Sequence, residues 1–234
     1  MSPSVVQAKV IPGTASLFDM DGTLIDSSAG LEGAWEAFKE TYPHIDVPHI
    51  LEGMHIYGAF VRWTIYAITV SEAIRFEQTI VTSASANGRP GIIRLPGVKE
   101  AMGALISRRY LPNPSWAICT SSTKVYSTLA LTTSDIPIPE VLVTSETVEK
   151  GKPNPDPYLL GAKLCGVDPA DCIVIEDSPN GIRSGLAAGC KVVGILTSHS
   201  RESVEAVKPN WVAQDLSQLR FALTDAGVEV TIDA

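Results

Sequence analysis

Short runs of apolar residues recur along the chain, and polar or small residues follow each run. Beyond residue 95 these runs are Trp116–Cys119, Val141–Val143, Ile173–Ile175 and Val192–Leu196. Because they are apolar throughout rather than alternating, they predict parallel strands that are covered by helices on both faces. An earlier run, Ala15–Phe18, predicts the first strand of the same sheet. Helical stretches separate the runs, so we predict an α/β fold with a doubly wound, Rossmann-like parallel sheet.

The segment between the first strand and the rest of the predicted sheet has a different pattern. Apolar and aromatic residues recur at helical spacing in Leu31–Tyr42 and again in Tyr57–Ile68, and no run typical of a buried strand occurs there. We therefore predict an all-helical domain, residues 27–95, inserted into an α/β core that comprises residues 1–26 and 96–234. The aromatic positions are expected to pack between helices rather than to surround a ligand.

The first predicted strand ends at two carboxylates, Asp19 and Asp21, and Gly22 follows at once. Side chains at positions i and i+2 of an extended chain point the same way, so both carboxylates are expected to face one cavity. Like charges this close repel, and the usual remedies are a bound cation or a shared proton. A calcium-binding EF-hand loop starts similarly, but it requires other residue types where this chain has Thr23 and Leu24. The pair therefore indicates chemistry rather than packing.

Three further polar groups follow in order along the chain. Ser121 comes after a predicted strand, Lys152 lies in a proline-rich loop, and Glu176 with Asp177 ends another strand. Open α/β sheets bind ligands at the carboxyl ends of their strands. Together with Asp19-Met20-Asp21-Gly22-Thr23, this series resembles the haloacid dehalogenase superfamily of phosphohydrolases with a helical cap inserted after the first motif. Within it, the core segments are similar to the fungal glycerol-phosphate and 2-deoxyglucose-6-phosphate phosphatases. The tail, residues 228–233, is similar to theirs too and predicts a late strand.

The resemblance implies a role for each of the polar side chains. Asp19 is expected to be the nucleophile that forms an aspartyl-phosphate. Asp21 is expected to act as general acid to the leaving alkoxide and then as general base to water. Lys152 would place a positive charge beside the phosphoryl oxygens. Ser121 would donate a hydrogen bond to one of those oxygens, and it can also be the N-cap of the helix that follows.

The resemblance also implies a Mg²⁺ ion. Asp19, the backbone carbonyl of Asp21 and Asp177 are the expected ligands, with Glu176 bound directly or through water. Without a cation a phosphate dianion could hardly approach these carboxylates, since two unit charges about 4 Å apart interact by roughly 4 kcal/mol at an effective dielectric of 20.

Five residues are expected to bind the substrate. Gly22 and Thr23 would shape the turn after the first strand and offer backbone N–H groups to the phosphate. Ser122 follows Ser121 in the second motif. Arg62 and Arg94 are the preferred groups for the rest of the substrate, on position alone: one lies in the predicted cap and one at its return to the core.

Composition narrows the class of partner. The net charge of the 234-residue chain is -8 and no basic stripe offsets it, which argues against nucleic acid and anionic membranes. The N-terminal segment lacks the apolar stretch of a signal peptide, and the four cysteines show no metal-type spacing. We therefore expect reduced core cysteines, a cytoplasmic location, and a monomer or weak homodimer with a small phosphorylated substrate.

The four motifs and the resemblance to these phosphatases imply a Mg²⁺-dependent phosphomonoesterase that acts on a sugar or polyol phosphate. A β-phosphoglucomutase-like phosphotransferase would share all four motifs, and a phosphatase of a specialised metabolite such as a prenyl phosphate also stays open. A dehalogenase is disfavoured because the relatives of that type lack the second aspartate, here Asp21. A binding module without activity is disfavoured because every expected catalytic side chain is present.

Overall fold

The computed structural model describes residues 9–13, 15–44, 46, 70–83, 88, 90–108, 114–225 and 227–233. The strands in these ranges are β1 (Lys9–Gly13), β2 (Ala15–Phe18), β3 (Ile25–Asp26), β4 (Ile93–Arg94), β5 (Trp116–Cys119), β6 (Leu142–Val143), β7 (Cys172–Glu176), β8 (Lys191–Ile195), β9 (Trp211–Ala213), β10 (Leu219–Thr224) and β11 (Gly227–Ile232). The α-helices are α1 (Ser28–Thr41), α2 (Val70–Thr82), α3 (Val98–Leu105), α4 (Lys124–Thr133), α5 (Asp156–Cys165), α6 (Pro179–Ala187) and α7 (Arg201–Ala206).

The predicted parallel sheet is confirmed, with six strands in the order β6-β5-β2-β7-β8-β9. Leu17 in β2 lies opposite Ala117 on one side and Val174 on the other, so β2 is a central strand. Successive residues of β2 contribute to separate apolar clusters, Phe18 to one and Leu17 to the other. Both faces are therefore covered, which explains why each strand is apolar throughout. Strands β5 and β6 lie on one side of β2 and strands β7 to β9 on the other, so the strand order reverses at β2. Sheets of this type bind ligands at such a switch point.

A second sheet of three antiparallel strands, in the order β1-β11-β10, lies beside the core. The sequence predicts a late strand at residues 228–233, and β11 confirms it, but β1 and the antiparallel sheet were not predicted. β1 contains Pro12, which the sheet tolerates because β1 is an edge strand and needs fewer N–H donors. The sheet joins the main core through Phe221, whose ring centroid lies 5.5 Å from that of Phe18.

The described part of the predicted cap consists of α1 and α2, which pack through aromatic side chains. Trp35 and Phe76 have ring centroids 4.4 Å apart, and Phe38 meets Phe76 edge-on at 5.0 Å. All three are buried, which confirms that the aromatic residues of α1 are packing residues. The second helical stretch, residues 57–68, lies outside the described residues, so the limits of the cap stay a prediction. Next to the cap, β4 pairs antiparallel with β3, a short ladder that the sequence pattern does not show.

Local capping sets where the helices beside the central sheet begin and end. Thr123 is the N-cap of α4 and accepts a hydrogen bond from the N–H of Tyr126 at 3.2 Å. Ser178 caps α6 in the same way, and Pro179 occupies the first helical position. Helix α5 ends at Gly166, which has a left-handed φ of 72°.

The four cysteines, Cys119, Cys165, Cys172 and Cys190, are free thiols, and all are buried as the sequence predicts. Across the described ranges, no helix is both long enough and apolar enough to cross a bilayer.

Candidate active site

Gly22 makes the turn that follows β2. Its φ of 84° lies in the left-handed region, and a Cβ at this position would be 2.2 Å from Oδ2 of Asp177. Its N–H donates to the carbonyl of Ile25 at 2.7 Å, and the N–H of Thr23 donates to the carbonyl of Met20 at 3.3 Å. The structure confirms that Gly22 and Thr23 shape the turn. Both N–H groups are used inside the turn in this structure, and their role in binding phosphate stays a prediction.

Three carboxylates meet at the carboxyl ends of two neighbouring strands. Asp19 follows β2, Glu176 is the last residue of β7, and Asp177 comes next. Because β2 and β7 are hydrogen-bonded partners in register, their carboxyl ends bring these side chains together. One oxygen of each lies within 4.8 Å of the others, and the residues are 7%, 0% and 3% exposed, respectively.

Lys152 lies among these carboxylates. Its Nζ is 2.5 Å from Oδ1 of Asp19 and 2.7 Å from Oε1 of Glu176, and its side chain is 5% exposed. The ammonium also lies 5.0 Å from the centroid of the Tyr158 ring. Burial alone would lower the pKa of Lys152, but the two adjacent carboxylates raise it above its ordinary value. Lys152 is therefore charged at neutral pH, and the structure brings it to the acidic cluster as the sequence predicts.

Four hydrogen bonds fix Glu176. Oε1 accepts from Lys152 and from the hydroxyl of Tyr158 at 3.0 Å, while Oε2 accepts from the N–H of Ser178 at 3.0 Å and from its hydroxyl at 3.1 Å. A carboxylate has about four acceptor sites, so these donors occupy its oxygens. The Glu176 carboxylate fits beside α6 because residue 181 is glycine: a Cβ at Gly181 would lie 1.5 Å from Oε1 of Glu176. Glu176 is thus built to hold Lys152 in place.

The Asp177 carboxylate has hydrogen-bond partners that differ from those of Glu176. Oδ1 accepts from the hydroxyl of Thr23 at 3.1 Å, and Oδ2 accepts from Ser198 and lies 3.8 Å from Nδ1 of His199. Burial and the charge of Glu176 raise the pKa of Asp177 to about 7. Ser198 and His199 were not predicted. They follow the apolar run of β8, so the rule that placed the other polar residues at strand ends could have found them.

The Asp19 carboxyl has a pKa well above its usual range. Burial is the main cause; Lys152 opposes the shift, while the charges of Glu176 and Asp177 add to it. Among the residues that the structure describes, the ammonium of Lys152 faces three carboxylates, and the cluster favours either protons or an additional cation.

Asp21 lies apart from this cluster, among three hydroxyl groups. Its Oδ1 accepts from Ser27 and from Tyr126, both at 2.7 Å, and its Oδ2 accepts from Ser122 at 2.9 Å. Burial raises the pKa of Asp21, and the three hydroxyl groups oppose that shift. Ser27 and Tyr126 carry no motif signal and were missed. Ser122 donates to Asp21 in this structure, and its predicted role in binding substrate stays a prediction.

Ser121 is exposed on the loop between β5 and α4. It is not the N-cap of α4, as the sequence allowed, because Thr123 holds that position. Its exposure beside Ser122, which contacts Asp21, leaves its hydroxyl accessible to a ligand. The donor role of Ser121 stays a prediction.

Arg94 bonds to Asp135 in this structure, and its predicted role in binding substrate stays a prediction. Its Nη1 donates to the backbone carbonyl of Asp135 at 3.1 Å and lies 3.6 Å from the carboxylate of the same residue. Asp135 follows the C-terminal end of α4, whereas Ser122 precedes its N-terminal end, and a ten-residue helix is about 15 Å long. The guanidinium thus bonds near the C-terminal end of α4, whereas Tyr126 near the N-terminal end of the same helix contacts Asp21. Arg62 lies outside the described residues.

A candidate nucleophilic carboxylate, a buried lysine and an acidic pair thus lie together at one edge of the sheet. The family of haloacid dehalogenase-like hydrolases matches residues 14–189, which is most of the chain. The chain belongs to this family. The match includes every group of the acidic cluster and both serines of the second motif.

Relatives of the chain carry phosphatase names. Hexitol phosphatase A of Escherichia coli is 37% identical over 209 residues, which is 83% of this chain and 94% of that protein. Glycerol-1-phosphate phosphohydrolase 1 of Saccharomyces cerevisiae is 32% identical over 194 residues, with 79% and 75% covered. The second match confirms the resemblance to fungal glycerol-phosphate phosphatases that the core segments indicate. This haloacid dehalogenase-like chain is a hydrolase of the phosphatase type.

A solved structure shows the same fold. A hydrolase from Pseudomonas syringae superposes with a TM-score of 0.64 at 25% identity, covering 87% of this chain and 94% of that one.

Proposed function

We propose that this chain hydrolyses small sugar or polyol phosphates with the help of Mg²⁺, through an aspartyl-phosphate on Asp19. The observation that carries the proposal is the position of Asp19: its carboxylate ends β2, beside the ammonium of Lys152 and within the acidic cluster. The names of the relatives support the substrate class, since one acts on hexitol phosphates and another on glycerol 1-phosphate.

The residues present fit a Mg²⁺ ion. The cluster offers hard carboxylate oxygens, the donor type that Mg²⁺ prefers, and it holds more negative charge than Lys152 neutralises. Burial is the main cause of the raised pKa values of Asp19 and Asp177, and the charge of the neighbouring carboxylates adds to both shifts. We propose Asp19, Asp177 and the backbone carbonyl of Asp21 as ligands. Glu176 contributes charge nearby, since its oxygens already accept four hydrogen bonds. When bound, the ion supplies positive charge that admits the phosphate dianion and stabilises charge on the phosphoryl oxygens.

The residues divide the chemistry between two half-reactions. In the first, the Asp19 carboxylate attacks phosphorus, and the protonated Asp21 carboxyl gives its proton to the departing alkoxide. In the second, the Asp21 carboxylate takes a proton from the water that attacks the aspartyl-phosphate, and Asp19 is released. Lys152 stays charged throughout and faces the developing negative charge. Ser121 donates a hydrogen bond to a phosphoryl oxygen.

The test is release of inorganic phosphate across a panel of glycerol 1-phosphate, hexitol phosphates, hexose phosphates, nucleotides and prenyl phosphates. We expect sugar or polyol phosphates to be hydrolysed fastest, activity to be lost after treatment with EDTA, and Mg²⁺ to restore it. The Asp19→Asn variant should be folded and inactive. Isomerisation of a hexose phosphate without release of phosphate would favour a phosphotransferase instead, and activity that ignores EDTA would refute the metal site.

A further inference from the structure

The hydroxyl of Tyr126 donates a hydrogen bond to Oδ1 of Asp21 at 2.7 Å. Tyr126 is 4% exposed, so its ring is packed in the core and its hydroxyl is directed at a specific partner. We infer that Tyr126 is a positioning residue: its hydroxyl holds the Asp21 carboxyl in the orientation from which it exchanges protons with the leaving group and with water. This inference rests on the proposed phosphatase function.

The backbone around Tyr126 is fixed as well as its ring. Tyr126 lies in the first turn of α4, where its N–H donates to the hydroxyl oxygen of the N-cap residue Thr123. That hydroxyl donates in turn to Oε2 of Glu77 on the cap helix α2 at 2.5 Å. The tyrosine is therefore carried by a rigid helix end that contacts both domains, rather than by a loop. A catalytic side chain keeps productive geometry when its supporting groups are locked in this way.

The pattern of acceptors shows how Tyr126 constrains Asp21. Ser27 and Tyr126 both donate to Oδ1, and Ser122 donates to Oδ2. Oδ1 thus has two donors and is saturated, while Oδ2 has one and keeps a free acceptor site for a proton. Ser27 and Ser122 have short, readily rotated side chains, whereas the Tyr126 ring is held by packing. Loss of the tyrosine hydroxyl therefore removes the most rigid of the three contacts.

The Tyr126→Phe variant tests this role with two leaving groups. The value of kcat/KM reports the step in which the leaving group departs from phosphorus. Departure of an alkoxide from glycerol 1-phosphate needs the proton of Asp21, but p-nitrophenolate is stable without one. We expect kcat/KM for glycerol 1-phosphate to fall about 10- to 100-fold, the scale of a lost hydrogen bond to a charged group. The value for p-nitrophenyl phosphate should stay close to wild type, which also shows that the variant is folded.

The matched control is Tyr42→Phe, which also removes a tyrosine hydroxyl that donates to a carboxylate, that of Glu72, but within the cap. It should leave the ratio of the two kcat/KM values unchanged. A second readout is a double-mutant cycle: in an Asp21→Asn background, Tyr126→Phe should cost nothing further.

Two results would overturn the inference. Equal losses on both substrates would mean that Tyr126 supports the fold rather than Asp21, and an additive loss in the Asp21→Asn background would mean the same. If the wild-type enzyme hydrolysed no sugar or polyol phosphate of the panel, the proposed function would fail before the role of Tyr126 came into question.

Discussion

Replacing Lys152 with methionine removes the ammonium that lies between Asp19 and Glu176. Methionine fills most of the same volume with a flexible apolar chain, so the change deletes charge and leaves little cavity. The carboxylates of the cluster would then face one another without Lys152, in a site where Glu176 is fully buried. The variant therefore isolates the electrostatic contribution of Lys152.

The structure sets the size of the effect. Removing one partner of a buried ion pair usually costs about 3–5 kcal/mol, because the remaining charge loses its compensation. Lys152 pairs with two carboxylates at 2.5 and 2.7 Å, so we expect a loss in this range for the metal-free protein at pH 7.5. The loss should shrink toward pH 5, because the pKa values of Asp19 and Asp177 are raised and these carboxyls take up protons as the pH falls.

The assay is urea unfolding in the presence of EDTA, at pH 7.5 and at pH 5, with circular dichroism as the measure of the folded fraction. Lys150→Met is the matched control, because Lys150 is exposed two residues earlier in the same loop. We expect the control to change the free energy of unfolding by less than about 1 kcal/mol. A loss equally small for Lys152→Met, or a loss that grows toward pH 5, would refute the reasoning.

Three further predictions concern the turn, the cluster and the arginine. Gly22→Ala should lower the free energy of unfolding by about 1–3 kcal/mol, the usual cost of a strained backbone position, and should abolish activity by displacing Asp177. The control is Gly103→Ala, which should be tolerated because a Cβ at this position in α3 would meet open space. The metal-free protein should lose stability as the pH rises from about 4 to about 7, because the native state holds a proton on Asp177 that the unfolded state has already lost. The raised pKa of Asp177 limits this loss to about 4 kcal/mol. Asp177→Asn should make stability depend less steeply on pH, and an unchanged dependence would contradict the raised pKa of Asp177. Arg94→Ala should leave KM for every substrate of the panel unchanged, because Arg94 is bonded to Asp135. A rise in KM confined to the best substrate would show that Arg94 contacts that substrate.

The parallel sheet and the acidic cluster were predictable because a single rule governs both. Apolar runs identify buried parallel strands, and polar residues that follow such strands meet at one edge of the sheet. Asp19, Glu176 and Asp177 meet this condition directly. Ser198 meets it too, after β8, and its contact with Asp177 shows that the rule extends further than the motifs.

The partners of Asp21 were not predictable because they depend on packing. Tyr126 reaches Asp21 through the orientation of the first turn of α4, which no local pattern specifies. The contact of Arg94 with Asp135 was not predictable either, because a guanidinium on a long flexible side chain bonds to whichever acceptor is near. The strand β1 escaped prediction because its five residues pair with β11, more than two hundred residues away in the sequence.

The most direct test of the account is chemical identification of the phosphorylated residue. Enzyme mixed with Mg²⁺ and its best substrate is quenched in acid, reduced with borohydride, which converts an aspartyl-phosphate to homoserine, and mapped by peptide mass spectrometry. We expect homoserine at position 19 in the wild-type protein, and no reduced aspartate in the Asp19→Asn variant. Homoserine at position 21 instead of 19, or turnover with no reduced aspartate at all, would contradict the assignment of Asp19 as the nucleophile.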